Sequence, residues 1–214
     1  MPILPSQMGA RPSTPRARTR RLEAALAAID AANAGDPHSL EVRGESRPKE
    51  LAHAELVTEW VRQLRPEASH ALLLAARAHH VRRWEIPRER YPKDRAGYLR
   101  WRKQLQKLHA NLTAEILRGV GYDDATVARV QDILRKRGLG RDPEVQAFED
   151  ALCLTFLETQ LAAFADEHPS EKARTVLVKT LAKMSSAGRR VARELPLSAA
   201  VRALLVEALE SVEH

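Results

Sequence analysis

Apolar residues recur along this chain at the three- and four-residue spacing of helices, and short polar breaks divide the pattern into segments. Leu22, Leu26 and Ile29 predict a first helix that ends near residues 35–37, and a hairpin-like connector follows over residues 40–47. We find no strand-like alternation of useful length. The pattern therefore predicts an all-α fold, a single domain of seven to eight helices over residues 21–214. The later helices are expected over residues 48–64, 66–84, 94–118, 124–138, 142–167, 170–184 and 198–213.

Positive charge is concentrated in two parts of the chain. Residues 1–22 contain five Arg and no acid, and residues 82–107 contain ten Lys or Arg against three acids. The net charge is +7, so the remainder of the chain is acidic. This distribution favours a localised anion site over a uniformly basic nucleic-acid coat. Residues 1–20, rich in Pro, Ser and Arg, are predicted to form a disordered tail, although such a start also resembles an organelle transit peptide.

The single cysteine and the lengths of the apolar runs indicate in which cellular compartment the protein is expected. Cys153 cannot form an internal disulfide, and its place in an apolar run is typical of a small core residue in a reducing compartment. No apolar stretch approaches the roughly 20 residues that cross a bilayer. We therefore expect a cytoplasmic protein that does not act in a membrane.

Imidazoles, guanidiniums and large aromatics are densest between residues 75 and 109. Imidazoles bind metals, guanidiniums bind phosphates, and aromatic faces stack on bases. Spacing places Arg95, Tyr98, Arg102 and His109 on one face of a helix. Trp84 and Trp101 could instead pack in the core, and the arginines could form a solvated face. The predicted substrate-binding residues are Arg83, Trp84, Arg88, Arg95, Tyr98 and Arg102.

A second informative segment is the predicted helix over residues 142–167, which is apolar on nearly every face yet carries Glu149, Asp150 and Glu158. An unpaired buried carboxylate costs several kcal/mol, so these acids should find a metal, an Arg or a protonated His. The histidines of the third helix and these carboxylates together could form a metal site. A structural ion pair, for instance of Asp150 with Arg82 or Arg102, is the alternative.

Three strings carry a resemblance to a known family: A-A-x-x-H-H-V-R-R-W-E-I-P-R, then Y-P-K-D-R-A-G-Y-L-R-W-R, then D-P-E-V-Q-A-F-E-D-A-L-C-L-T-F-L-E. Over residues 20–196 the chain resembles domain of unknown function family 4202. Its helical order is similar to that of the HD-domain phosphohydrolases. That likeness implies His53 as the first His, His79 and His80 at the His-Asp pair, and Asp150 as the closing Asp.

The resemblance and the residues together lead to one main functional hypothesis and two alternatives. The main hypothesis is an HD-like hydrolase of a phosphorylated small molecule or nucleotide, with Zn²⁺, Mn²⁺ or Fe²⁺ as its divalent metal. Expected metal ligands are His53, His80, His109 and Asp150, and expected catalytic residues are His79, Glu149 and Asp150. The alternatives are a non-catalytic RNA- or nucleotide-binding module and a di-iron oxidoreductase on the same scaffold.

Overall fold

The computed structural model describes residues 14–168 and 170–213. These residues form a helical domain with one antiparallel hairpin, β1 (Ser39–Val42) and β2 (Glu45–Pro48). The all-α fold class is thereby confirmed. The helices are α1 (Pro15–Asn33), α2 (Lys49–Leu64), α3 (His70–Ala78), α4 (Arg95–Gly119), α5 (Asp124–Leu134), α6 (Pro143–Thr159), α7 (Leu161–Glu167), α8 (Ser170–Leu181), α9 (Ser186–Glu194) and α10 (Ala199–Glu213).

Side-chain caps fix where several of these helices begin. Asp94 accepts a hydrogen bond from the backbone N–H of Gly97 at the start of α4, and Asp123 accepts one from Thr126 at the start of α5. Asp142 caps α6, where Pro143 occupies the first helical position. Each cap satisfies a backbone donor that has no partner within its helix. These are the starts that the sequence predicts for the helices at residues 94, 124 and 142.

Helix α6 is the central element of the domain. Its N-terminal half, with Val145 and Phe148, lies in a core shared with α2, α3 and α5. Its C-terminal half, with Leu154 and Leu157, lies in a second core shared with α8, α9 and α10. The prediction that this helix is buried is confirmed, and Cys153 is buried within it. One helix thus connects two hydrophobic clusters.

The structure corrects several predicted boundaries. Helix α1 begins at Pro15, because Thr14 caps it and Pro fits the first turn, so residues 15–20 of the predicted disordered tail are helical. Residues 1–13 lie outside the described part of the chain. The predicted helix over 142–167 is divided at Gln160 into α6 and α7, and α9 was not predicted at all. Ten α-helices in the described residues exceed the expected seven to eight. None of them is long and apolar enough to cross a membrane.

Candidate metal centre and cationic pocket

The pair His79-His80 follows α3 in a tight turn. Helix α3 ends at Ala78, whose carbonyl accepts a hydrogen bond from Val81 N–H at 3.0 Å. Arg82 then adopts the left-handed conformation with φ of 52°. The sequence pattern placed both histidines within a helix that runs to Trp84, and this is wrong because the chain turns away at Arg82. The turn stacks the two imidazole rings with their centroids 3.6 Å apart.

His53 of α2 completes a cluster of three imidazoles. Its ring centroid lies 5.1 Å from that of His79 and 5.0 Å from that of His80. One ligand nitrogen of each histidine lies within 4.8 Å of those of the other two. Metal–nitrogen bonds of about 2.1 Å in a tetrahedral site place the ligand nitrogens about 3.4 Å apart, so the rings would have to move closer together to hold an ion. Three imidazole donors are a ligand set that suits Zn²⁺ and other borderline transition metals.

The protonation of these histidines favours metal binding. Burial lowers the pKa of His53 to about 4 and lowers the pKa of His79 and His80 well below the usual value, and the neighbouring positive groups add to the effect. All three rings are therefore neutral near pH 7. The Nδ1 atoms of His53 and His79 are buried without a hydrogen-bond partner. Such nitrogens are costly to leave unsatisfied, and a bound cation would satisfy them.

Glu50, which the sequence analysis did not single out, orients the cluster. Its Oε2 lies 2.9 Å from Nδ1 of His80, and Arg83 Nε lies 3.6 Å from its Oε1. With Nδ1–H donated to the carboxylate, Nε2 of His80 is left to bind a metal. Burial raises the pKa of Glu50 to about 7, against the opposing effect of Arg83. The sequence could have indicated Glu50 through its spacing. It stands three residues before His53 on the same helix, and side chains at that spacing lie on one face.

A pocket of about 410 Å³ opens beside the histidines. His79, His80 and His109 line it together with the apolar side chains of Phe148 and Leu105. Among the residues that the structure describes, no carboxylate lines it. Its cationic residues are Arg83 and Arg102, expected from the sequence to bind substrate, and Lys103, Arg135 and Lys136, which were not expected. This arrangement favours an anionic ligand held next to the imidazoles.

His109 lies beside the cluster as a fourth imidazole. It projects from α4, with its ring centroid 5.7 Å from that of His80. Burial lowers its pKa to about 3, and Nε2 has no hydrogen-bond partner. His109 therefore lines the pocket as a neutral group, although its nitrogens fall outside the converging set of the other three. It is placed to contact a ligand in the pocket.

The two expected acidic residues of α6 have other partners. Glu149 is buried and forms an ion pair with Lys136, which fits the expectation that a buried carboxylate on this helix pairs with a cation. Asp150 accepts hydrogen bonds from the backbone and side chain of Ser185 and from Gln146. It does not belong to the converging histidine group, and neither Arg82 nor Arg102 pairs with it. The structure therefore joins Asp150 to the start of α9 rather than to the candidate metal centre.

The remaining expected substrate-binding residues lie outside the pocket. Arg88 donates to the carbonyls of Tyr91 and Pro92 at 2.9 and 2.8 Å, and so holds its own loop. With Trp84 it lines a separate cavity of about 150 Å³. Arg95 is exposed, and Tyr98 lies against the guanidiniums of Arg88 and Arg102. Neither residue lines these two cavities.

The fold and the site define a class: an all-α protein with a partly buried triple-histidine cluster beside a cation-rich pocket. The chain belongs to the family described as domain of unknown function DUF4202, whose family model matches residues 23–205. The family resemblance noted in the sequence is thereby confirmed. No curated protein and no solved structure matches the chain.

Proposed function

We propose that this protein is a metal-dependent hydrolase of a phosphorylated small molecule or nucleotide, with an HD-like arrangement of helices. One observation carries the proposal: three neutral imidazoles converge, and two of them, His79 and His80, line a pocket with five cationic side chains and, among the described residues, no carboxylate. Phosphoryl hydrolysis needs an activated water beside groups that stabilise negative charge; a metal on the imidazoles would activate the water, and the cationic side chains would stabilise the charge. His53, His79 and His80 are the proposed metal ligands.

The metal would be Zn²⁺, Mn²⁺ or Fe²⁺, since the donors are nitrogens. When bound, it supplies Lewis-acid activation of a water molecule. Glu50, 2.9 Å from Nδ1 of His80, would hold the tautomer that leaves Nε2 free to bind the ion. His109 would form part of the neutral wall of the pocket, with its Nε2 buried and without a hydrogen-bond partner.

The cationic side chains bind and orient the phosphate in this proposal. Arg83 is fixed by Glu50 on one side and by stacking on Trp101, with 4.8 Å between guanidinium carbon and ring centroid. Trp101 is itself held by donating its indole N–H to the Ile86 carbonyl at 2.8 Å. A guanidinium held in this way loses little entropy when it binds a phosphate. Glu149 positions Lys136 through their ion pair.

The direct test is phosphate release by the full chain from p-nitrophenyl phosphate and from a panel of nucleotides, with Zn²⁺, Mn²⁺ or Fe²⁺ added. His80→Gln should lower kcat/KM by at least about 100-fold, because it removes a metal ligand and its orienting contact. His38→Gln is the matched control, since the exposed side chain of His38 contacts Asp36 and lies outside the histidine cluster. No hydrolysis with any of these metals would refute the proposal.

A second candidate is non-catalytic binding of a nucleotide or RNA, which the cationic lining alone would favour. The two candidates differ in their dependence on the histidines. Non-catalytic binding would persist in His80→Gln and would be lost in Arg102→Gln. Iron at two equivalents per chain would instead support the di-iron oxidoreductase.

A further inference from the structure

A second cavity, of about 350 Å³, adjoins the cationic pocket. Lys103, Gln106 and Arg135 line both cavities, so the two share a wall. Gln104, Lys107 and Asn111 complete the second one. The cationic pocket thus continues away from the histidines along α4.

The lining of the second cavity has an unusual composition. In the described part of the chain its lining side chains are cationic or amide-bearing, without a carboxylate or an apolar residue. Throughout the described ranges, 14–168 and 170–213, no acidic side chain forms an ion pair with Lys103, Lys107 or Arg135. Their charge is therefore available to a ligand. Ammonium, guanidinium and amide N–H groups are the donors that proteins use for phosphate.

The two helices hold these donors on opposite sides of a groove. Lys103 and Lys107 are one turn apart on α4, whereas Arg135 follows the last residue of α5. Gln131 of α5 donates its amide to the Ala110 carbonyl of α4 at 3.0 Å, which fixes one helix against the other. The α4 side of the groove is therefore held against α5, and Arg135 enters it from the turn that ends α5.

We infer that this second cavity binds a second phosphate group of the substrate, while the first phosphate lies beside the histidines. The proposed substrate is then a molecule with two phosphoryl groups or a short phosphate chain. This inference rests on the proposed function for the role of the first pocket. It adds a binding site formed by Lys103, Lys107 and Arg135. A substrate with a single phosphate beside the histidines would leave Lys107, which lines only the second cavity, without a partner.

The test compares the affinities of inorganic phosphate and tripolyphosphate for the metal-free full chain by calorimetry at fixed ionic strength. Metal is omitted because tripolyphosphate chelates it. The wild type should bind tripolyphosphate at least about tenfold more tightly than phosphate, since each added charged hydrogen bond contributes on that scale. Lys107→Gln and Arg135→Gln should each reduce that preference by about fivefold or more.

Lys172→Gln is the control, because it removes one positive charge from an exposed site on α8. It should leave the preference unchanged. If Lys172→Gln and Lys107→Gln reduce the preference for tripolyphosphate equally, the effect is general charge attraction and the inference is wrong. The inference is also wrong if Lys107→Gln leaves the wild-type preference unchanged. This measurement needs neither metal nor turnover. If the chain shows no hydrolase activity but its preference for tripolyphosphate still depends on Lys107, the proposed function is wrong and the second phosphate site stands.

Discussion

At the scale of single residues, the neutrality of the imidazoles is the main electrostatic feature of the site. Burial lowers the pKa of each histidine in and beside the cluster, and the nearby Arg83 acts in the same direction. A neutral imidazole has a free lone pair, so a metal ion meets little proton competition near pH 7. The same burial has a cost at lower pH, where an unfolded histidine takes up a proton and a buried one does not.

Replacement of Glu50 tests the orienting role of its carboxylate. We expect Glu50→Gln to weaken metal binding by about 10- to 100-fold, because an amide is a poorer acceptor for the Nδ1–H of His80 and lacks the negative charge. Competition with a chelator of known affinity measures this change. Glu55→Gln, on the same helix but paired with Arg47, is the matched control and should bind metal like the wild type. If the wild type, Glu50→Gln and Glu55→Gln bind metal with equal affinity, Glu50 does not orient the metal site.

The stability of the metal-free chain should fall as the pH falls from about 7 to 5. His109 has a pKa of about 3 in the folded chain and an ordinary value of 6.5, so only the unfolded chain gains a proton in this range. His109 alone contributes on the order of 2 kcal/mol to this loss. Glu50 acts in the opposite sense, since its raised pKa of about 7 destabilises the fold as the pH rises through 4.5 to 7. The lowered pKa values of several histidines outweigh this one acid.

Urea denaturation of the chelator-treated chain at both pH values measures the loss. His109→Gln should reduce the pH dependence, whereas His38→Gln, at an exposed position, should not. A stability that is flat or rises towards pH 5 would show that the histidines are not buried in their neutral form.

At the scale of helices, Asp150 links α6 to α9. Its carboxylate accepts from Ser185 N–H at 2.8 Å, and Ser185 in turn caps α9 by accepting from Gly188 N–H. A Cβ at Gly188 would lie 2.7 Å from Cγ of Asp150, so only glycine allows the helix to approach this closely. The buried acid is thus satisfied by hydrogen bonds and supports a helix junction.

Gly188→Ala should therefore destabilise the fold by about 1–3 kcal/mol through overpacking against Asp150. Gly35→Ala, where a Cβ meets nothing within 4 Å, is the control for the general effect of adding a methyl group. Thermal or urea unfolding measures both.

Asp150→Asn should lower the stability of the fold but leave metal binding intact. Loss of the metal from a folded Asp150→Asn chain would show that Asp150 is a metal ligand after all.

More of the helical structure than of the candidate site could be predicted from the sequence. Caps such as Asp94, Asp123 and Asp142 are local signals, and they set the starts of α4, α5 and α6 correctly. The turn at Arg82 and the partner of Asp150 depend on contacts between distant segments, which no local pattern encodes. Among the candidate residues, His53, His79 and His80 lie together as the resemblance implied, whereas Asp150, implied by the same resemblance, contacts Ser185 instead. Glu50 and Lys103 join the candidate site only through packing between helices.

At the scale of the whole molecule, the fold concentrates positive charge around one pocket. The net charge is +7, and the cations of the pocket come from α4, from the turn after α3 and from the end of α5. The basic segment over residues 82–107 predicted a localised anion site. The structure adds Arg135 and Lys136, which stand far from that segment in sequence. Such a cluster raises the local concentration of anions and attracts them at low salt.

The most direct test is the metal content of the purified full chain, measured by elemental analysis after incubation with Zn²⁺, Mn²⁺ or Fe²⁺ and removal of excess ions. The wild type should retain about one equivalent of one of these metals per chain, as expected of a single three-histidine site. His53→Gln and His80→Gln should each lose it, and His38→Gln should keep it. Less than about a tenth of an equivalent of every metal in the folded wild type would contradict the metal centre.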